Sequence, residues 1–342
     1  MESVSEKKSR WFSQFVEEEL PNDVSGKVFV ITGTTTGTGF VAARTVAQLG
    51  GEVVLLNRPS PRVDVMLTKL KEAVPNGKFV TVECDLQDFD SVRKASNEIR
   101  SKYDQIYCLC NNAGIMATPD RATKDGYDEQ IQTNHLSHFL LTKELFPLLE
   151  RQAKASGGNG GDARIVNHSS EARNNTASKG LERRYFEQNG DGNLGGDRLG
   201  LFSGPCFERY CQSKLANSVF THALHDKLQA AHSNVKVVSA HPGGADTNLG
   251  SHLNFGTITN WLLRHILFPM VVQSSEDGTM GLLKGMMGDK DTIESGVMYG
   301  PHGMKGKAVA LDPKPWEIDI NAKQMLWETS EAATGVQFDV VI

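Results

Sequence analysis

One short stretch near the start of the chain restricts its fold more than any other. Lys27-Val28-Phe29-Val30-Ile31 is a continuous apolar, β-branched-rich run between Gly26 and Gly33. That is the pattern of a strand buried on both faces of a parallel sheet. Thr32-Gly33-Thr34-Thr35-Thr36-Gly37-Thr38-Gly39 follows directly. A helical pattern then runs from Phe40 to Leu49 and stops at Gly50-Gly51. Strand, glycine turn and helix N-terminus together make an anion site. Glycines let the backbone approach a pyrophosphate, and the helix's free N–H groups point at it. The spacing is G-x-x-x-G-x-G, not G-x-G-x-x-G, and taken alone it also suits an ordinary tight βα turn.

The segments that follow fit a dinucleotide. Glu52-Val53-Val54-Leu55-Leu56 reads as the next strand and ends in Asn57-Arg58. At that strand end an acid binds the ribose 2′-hydroxyl of NAD, whereas an arginine accommodates the 2′-phosphate of NADP. Arg58, with no acid beside it, favours NADP(H) over NAD(H). The strand Lys78-Phe79-Val80-Thr81-Val82-Glu83-Cys84 leads into Asp85-Leu86, placed to accept from an adenine amino group. Ile106-Tyr107-Cys108-Leu109-Cys110 is a further buried strand before Asn111-Asn112-Ala113-Gly114. There the amides can brace neighbouring strand ends, and Ala113 and Gly114 leave room for a ribose.

A proton-transfer set lies downstream. The strand-like Ala163-Arg164-Ile165-Val166-Asn167-His168 ends in Ser169-Ser170, and Tyr210-Cys211-Gln212-Ser213-Lys214 opens a helix. Tyr210 and Lys214 lie one turn apart on one helix face. An ammonium beside a phenol favours the phenolate, and a serine hydroxyl brought close in the fold would orient a carbonyl. A Tyr-x-x-x-Lys pair alone arises in many helices. It gains force here from the dinucleotide-like segments before it. Asn134 falls inside a helical pattern, where asparagine is mildly unfavourable unless its side chain is engaged.

Six motifs in order carry a resemblance: T-G-x-x-x-G-x-G from Thr32, N-N-A-G from Asn111, N-H-L-S-H-F-L-L-T from Asn134, R-I-V-N-H-S-S from Arg164, Y-C-Q-S-K-L-A-N from Tyr210 and H-P-G-G-A-D-T from His241. The chain resembles the short-chain dehydrogenases/reductases, and among them the retinol dehydrogenase, WW-domain oxidoreductase and protochlorophyllide reductase branch. The resemblance implies an α/β fold, a single Rossmann-type doubly wound parallel sheet with helices on both faces, spanning residues 25–342. It implies an NADP(H)-dependent oxidoreductase interconverting a carbonyl and an alcohol on a small or lipophilic substrate. Reduction of a C=C bond, or a silent nucleotide-binding regulator, are the alternatives. Tyr210 matches the general acid/base, Lys214 the lysine that lowers the tyrosine pKa and holds the nicotinamide ribose, Ser170 the orienting hydroxyl, and Asn134 the anchor of a proton relay. Gly33, Thr35, Thr36, Gly37, Thr38, Gly39, Arg58, Asp85, Leu86, Asn112, Ala113 and Gly114, with Tyr210 and Lys214, fall where cofactor contacts are expected. Pro242, Gly243 and Thr247 match the segment at the nicotinamide carboxamide. Thr38 stands where the family usually has Ile, and Ser137 where this branch often has Gly. Many relatives form homodimers through the helices holding Asn134 and Tyr210.

Composition agrees. The chain has 342 residues, 39% hydrophobic and 23% charged, as in ordinary globular proteins. A net charge of −5 gives no basic field for nucleic acid, and no apolar run is long enough to span a bilayer. Cys108-x-Cys110 invites a metal reading, but alternation in a strand accounts for it, and no metal is expected. Five cysteines, three of them on buried strands, fit a reducing cytoplasmic setting. Residues 1–24 form an extension whose Trp11, Phe15 and Leu20 make a short apolar stripe suited to docking on the domain. Its acidic face lacks the Lys and Arg of membrane-surface helices. Residues 171–209, glycine-rich between Ser170 and Tyr210, read as an insertion shaping the substrate pocket as a lid. The apolar segment with Trp261, Leu262 and Phe268 reads as a cover for the same pocket.

Overall fold

The computed structural model describes residues 7–155, 161–200, 203–244 and 272–340. Thr247, the segment around Trp261 and most of the glycine-rich run at 156–161 lie outside them. Eight strands form one sheet: β1 (Val28–Thr32), β2 (Glu52–Asn57), β3 (Lys78–Glu83), β4 (Cys108–Asn111), β5 (Ala163–His168), β6 (Val235–Ala240), β7 (Met298–Gly300) and β8 (Val309–Leu311), in the order β3-β2-β1-β4-β5-β6-β7-β8. All pairs are parallel except β7–β8. The order reverses between β1 and β4, which opens a crevice at the carboxyl ends of those strands. The antiparallel edge strand β8 was not expected from the sequence. Its three residues are too few to show a period.

Helices cover both faces. On one side lie α4 (Phe89–Lys102), α6 (Ser137–Ala155), α7 (Pro205–Ala230) and the C-terminal α9 (Ile320–Thr334). On the other lie α2 (Gly37–Gln48), α3 (Pro61–Ala73) and α8 (Ser275–Met287). β1, β2, β4 and β5 are buried almost throughout, which is why they read as unbroken apolar runs rather than alternating ones. Cys108 and Cys110 are fully buried on the same face of β4, in one apolar cluster, and burial pushes both thiols upward. No cluster of three or more His, Cys, Asp or Glu suited to a metal occurs among the described residues. Nor is any described helix long and apolar enough to cross a membrane.

The N-terminal helix α1 (Phe12–Glu19) docks beside α8, burying Phe12, Phe15 and Leu20. Its start is held by one buried carboxylate. Asp277 accepts from the backbone N–H groups of Arg10, Trp11 and Phe12 at 2.9–3.1 Å, a negative charge where a helix presents its free donors. Glu19 pairs with Lys284 at 2.6 Å at the other end. At the C-terminus, α9 packs along α7 and α6. Leu326, Trp327 and Phe338 enter the aromatic cluster around Phe139 and Phe220. A homodimer built across α6 and α7 therefore has to accommodate α9.

Candidate active site

The glycine turn is shaped by contacts that exclude side chains. Gly33 has φ 70°, and a Cβ there would stand 2.8 Å from Ala113. A Cβ on Gly39 would meet the Gly33 carbonyl at 2.3 Å and Asn112 Nδ2 at 2.5 Å. Gly37, at φ 60°, opens α2. Asn57 clamps the turn from β2: Thr34 N–H donates to its Oδ1 at 2.8 Å, and its Nδ2 donates to Thr34 Oγ1 at 2.7 Å. The N-cap residue Thr36 makes no capping bond, and the first turn holds no acid. The positive end of α2 is thus left unpaired beside half-buried Thr35, as a pyrophosphate requires. The residues present fit a dinucleotide.

Asn112 knits the cradle together. Its Nδ2 donates to the carbonyls of Thr32 and Gly33 at 2.8 and 3.2 Å, and its Oδ1 accepts from Thr38 Oγ1 at 2.9 Å. Thr38 therefore replaces an apolar contact with a hydrogen bond across the turn. Ser137 adds a bond past the end of β3, its hydroxyl donating to the Leu86 carbonyl at 2.6 Å. Asp85 Oδ1 accepts from Gln87 N–H at 3.0 Å. Arg58 lies exposed beyond the end of β2.

Asn134, Ser170, Tyr210 and Lys214 come together at the far end of the same crevice. A Cβ on Gly114 would stand 3.0 Å from Lys214 Nζ and 3.2 Å from Asn134 Oδ1, so this glycine lets both groups approach one spot. Asn134 sits in a π-helical turn, Gln132–Leu136, of the kind often found at functional sites. Its Oδ1 accepts from Ile115 N–H at 2.8 Å, and its Nδ2 donates to the Ile115 carbonyl at 2.9 Å and to Ser213 Oγ at 2.8 Å. These bonds account for a buried asparagine inside a helix. Tyr210 is buried beside the Ser170 side chain. Lys214 Nζ lies 5.8 Å from the Tyr210 ring centre and donates to the His168 carbonyl at 3.1 Å.

The electrostatics differ from the sequence expectation in one respect. Burial pushes the Tyr210 phenol up to about 12, with the neighbouring Ser170 hydroxyl acting the other way. Burial also brings the Lys214 ammonium down to about 8. In this structure desolvation outweighs any pull of the lysine on the phenol. A buried lysine also carries a stability cost. Lowering its pKa from 10.5 to about 8 corresponds to about 3 kcal/mol, present in full below pH 8 and gone above the unfolded value. Lys214→Met loses the Nζ–His168 bond, worth about 1 kcal/mol. The variant is therefore expected to be more stable than the wild type at pH 7, by about 1–2 kcal/mol. That advantage should shrink as pH rises from 8 toward 10.5, which urea denaturation at pH 7 and pH 10 would show.

At β6, His241-Pro242-Gly243 forms a fixed turn. Gly243 N–H donates to His241 Nδ1 at 3.1 Å, and a Cβ on Gly243, at φ 63°, would meet the Met304 carbonyl at 2.5 Å. The Pro242 carbonyl accepts from Gln273 at 2.8 Å. His241 Nε2 is 3.2 Å from Glu171 Oε1, close enough for an ion pair but out of line for a hydrogen bond. Burial pushes this histidine down to about 3, so it stays neutral and the contact is weak. Its role is to brace the turn.

Two buried charge clusters flanking the site were not legible from the sequence. Arg173 donates to Glu317 at 2.7 Å and to the Ser170 carbonyl at 3.1 Å, tying the C-terminal segment to the serine's backbone. Arg209, the neighbour of Tyr210, is wholly buried. It donates to the carbonyls of Thr118 at 3.0 Å and Gly196 at 3.1 Å, with Nε 2.9 Å from Asp128 Oδ2. Asp120 accepts from the N–H groups of Leu194 and Gly196 at 2.9 and 2.8 Å. Tyr185 and Phe186 of the insertion are buried in the main core. The described part of the insertion is thus fastened at several points.

Comparison with known proteins agrees with this geometry. The short chain dehydrogenase family pattern matches residues 27–180. Human retinol dehydrogenase 11 is 34% identical over 240 residues, covering 69% of this chain and 67% of that protein. Human polyprenol dehydrogenase is 29% identical over 314 residues, 91% of this chain and 86% of that protein. A solved structure of an uncharacterized protein from Mycobacterium paratuberculosis superposes with a TM-score of 0.69 at 29% identity, covering 93% of this chain and 97% of that one. The chain belongs to the short-chain dehydrogenase/reductase family, NAD(P)-dependent oxidoreductases acting on CH–OH and C=O groups, and within it resembles the retinol dehydrogenases.

Proposed function

We propose that this protein is an NADP(H)-dependent oxidoreductase that interconverts an apolar aldehyde or ketone with its alcohol. The observation that carries the reading is the buried Tyr210 beside the Ser170 side chain, with Lys214 one turn along and an uncapped glycine turn in the same crevice. Tyr210 gives a proton to the carbonyl oxygen or takes it from the alcohol, and Ser170 holds that oxygen. Lys214 keeps a positive charge at the nicotinamide ribose, and Asn134 anchors the proton path behind it. When bound, the nicotinamide supplies the hydride. Gly33, Thr35, Thr36, Gly37, Thr38 and Gly39 would cradle the phosphates, Asp85 and Leu86 would meet the adenine, and Asn112, Ala113 and Gly114 would form the floor. Pro242 and Gly243 would face the carboxamide, with Thr247, outside the described residues, the third residue expected there.

Relatives named for retinol and polyprenol support a lipophilic substrate. The described residues of the 171–209 insertion would then form a wall of the pocket. Five free cysteines, all buried, support a reducing compartment such as the cytoplasm. A panel of lipophilic aldehydes, ketones and alcohols assayed with NADPH and NADP⁺ tests the reading. No turnover of any member with either coenzyme would refute it.

Coenzyme choice is tested separately. Exposed Arg58 at the end of β2 is the cation available to a 2′-phosphate. Arg58→Ala should weaken NADPH about tenfold to a hundredfold more than NADH, since a charge-assisted hydrogen bond is worth roughly 1.5–3 kcal/mol. Equal losses for both coenzymes in a fluorescence titration would remove Arg58 from that role.

A further inference from the structure

His168 is the last residue of β5, just before Ser169-Ser170, and its side chain is buried. Ring atom Nδ1 lies 3.0 Å from Asn112 Oδ1 and 3.3 Å from the Asn112 carbonyl oxygen. The Asn112 amide cannot be turned round. Its Nδ2 faces two carbonyls, and its Oδ1 receives the Thr38 hydroxyl. Both atoms facing Nδ1 are therefore acceptors, so Nδ1 carries the ring proton. Burial keeps the ring neutral, its pKa pushed down to about 3, so there is one proton only. Nε2 is left as a bare lone pair, buried and without a hydrogen-bond partner. A buried acceptor with no donor is costly, and such groups in native structures have a reason.

The position of this lone pair narrows the donor. On one side the ring is tied through Asn112 and Thr38 to the glycine turn. On the other, the His168 carbonyl accepts from Lys214 Nζ at 3.1 Å and Asn217 Nδ2 at 3.0 Å. His168 also pairs in register with Ala240, next to the His241-Pro242-Gly243 turn. This is the nicotinamide end of the crevice, far in sequence and sheet order from the β2 and β3 ends assigned to adenosine. The cofactor's phosphates carry no donors at neutral pH, and the nicotinamide-ribose hydroxyls are assigned to the Tyr210–Lys214 face of α7, on the opposite side of β5 from the His168 ring, which turns toward Asn112 and Thr38. The N–H₂ of the nicotinamide carboxamide is the remaining donor.

We propose that His168 Nε2 accepts a hydrogen bond from the carboxamide N–H₂ of the bound nicotinamide. The inference rests on the cofactor reading above. Because its tautomer is fixed, His168 can receive the amide nitrogen but cannot serve the amide oxygen, so it sets which way round the carboxamide sits. His168 is on this account a cofactor-positioning residue, separate from the proton-transfer set.

The test is equilibrium binding, independent of turnover. Three probes are titrated into the full chain by calorimetry: NADP⁺, its 3-acetylpyridine analogue, in which a methyl ketone replaces the carboxamide, and 2′-phospho-ADP-ribose, which has no nicotinamide. Wild type should bind NADP⁺ about tenfold tighter than the acetyl analogue. His168→Phe should bind NADP⁺ about tenfold more weakly than wild type, with the other two probes unchanged. His168→Gln, which restores an acceptor oxygen, should recover part of the loss. Unchanged 2′-phospho-ADP-ribose binding shows that the variants fold. Equal weakening of all three probes, or NADP⁺ binding unaffected in His168→Phe, overturns the inference while leaving the oxidoreductase reading intact. A wild-type chain that binds neither NADPH nor NADH overturns both.

Discussion

Tyr210→Phe should lower kcat by roughly 10²–10⁴-fold, the usual contribution of a positioned acid or base, while NADPH still binds nearly as in the wild type. Only a hydroxyl is removed, and the phenyl ring keeps its packing against Phe207. Ser170 keeps the bond it accepts from Ala172 N–H, so the serine is not set adrift. A loss confined to kcat identifies a group acting in the transition state. Near wild-type kcat would remove Tyr210 from the chemistry. The pH profile carries a second expectation. The phenol, pushed up to about 12, stays protonated and ready to donate throughout the accessible range. Lys214, brought down to about 8, loses its charge first. Reductive kcat should therefore be flat below about pH 8 and fall above it. Lys214→Arg, which keeps its charge, should move that fall upward.

The parts proposed to bind and react were readable because they are local. A β-branched run, three glycines and a helix stop lie within consecutive residues, and each is dictated by backbone geometry at its own position. Gly33 and Gly39 are required by contacts that a Cβ would violate, so the spacing of the glycines already carries the shape of the turn. Tyr210 and Lys214 are likewise a single helix turn apart. What stayed hidden depends on pairings between distant segments. Nothing around Arg209 in the sequence says that it meets Asp128, Thr118 and Gly196, or that Arg173 meets Glu317. The glycines of the insertion suggested freedom. The buried Tyr185, Phe186 and Leu194 that fasten it look, in sequence, like scattered apolar residues of a loop. His168 was read as the end of a strand. Its tautomer and unpaired nitrogen emerge only once Asn112 is seen bonded on both sides. The π-helical turn at Asn134 is the intermediate case: an asparagine in a helix signalled an engaged side chain, but not the backbone it engages.

Arg209→Met should destabilise the fold by roughly 3–5 kcal/mol at pH 7.5, because removing one partner leaves a buried charge uncompensated. Asp128 is fully buried and Asp120 nearly so, and both look onto the guanidinium. Asp128 Oδ1 also caps the short helix α5 (Glu129–Ile131) that leads into the Asn134 turn, accepting from Gln130 and Ile131 N–H at 2.9 and 3.1 Å. The damage should therefore reach the proton path as well as the insertion. The sign of its pH dependence follows from Asp128. Burial raises this carboxyl from 3.8 to about 6 even with Arg209 present. Between those values the folded chain holds a proton that the unfolded chain has released, so this group's contribution to stability falls as pH rises. Without Arg209 the carboxyl is expected to titrate higher still. The deficit of Arg209→Met relative to wild type should thus be smaller at pH 5.5, where Asp128 takes up a proton at little cost, than at pH 7.5. Adding Asp128→Asn, which removes the stranded charge but keeps an oxygen for the two N–H groups, should return part of the lost stability at pH 7.5. Urea denaturation of the single and double variants at the two pH values measures all of this. A pH-independent deficit of under about 1 kcal/mol, the size expected of an ordinary surface pair, would show that the Arg209 cluster does not hold the insertion in place.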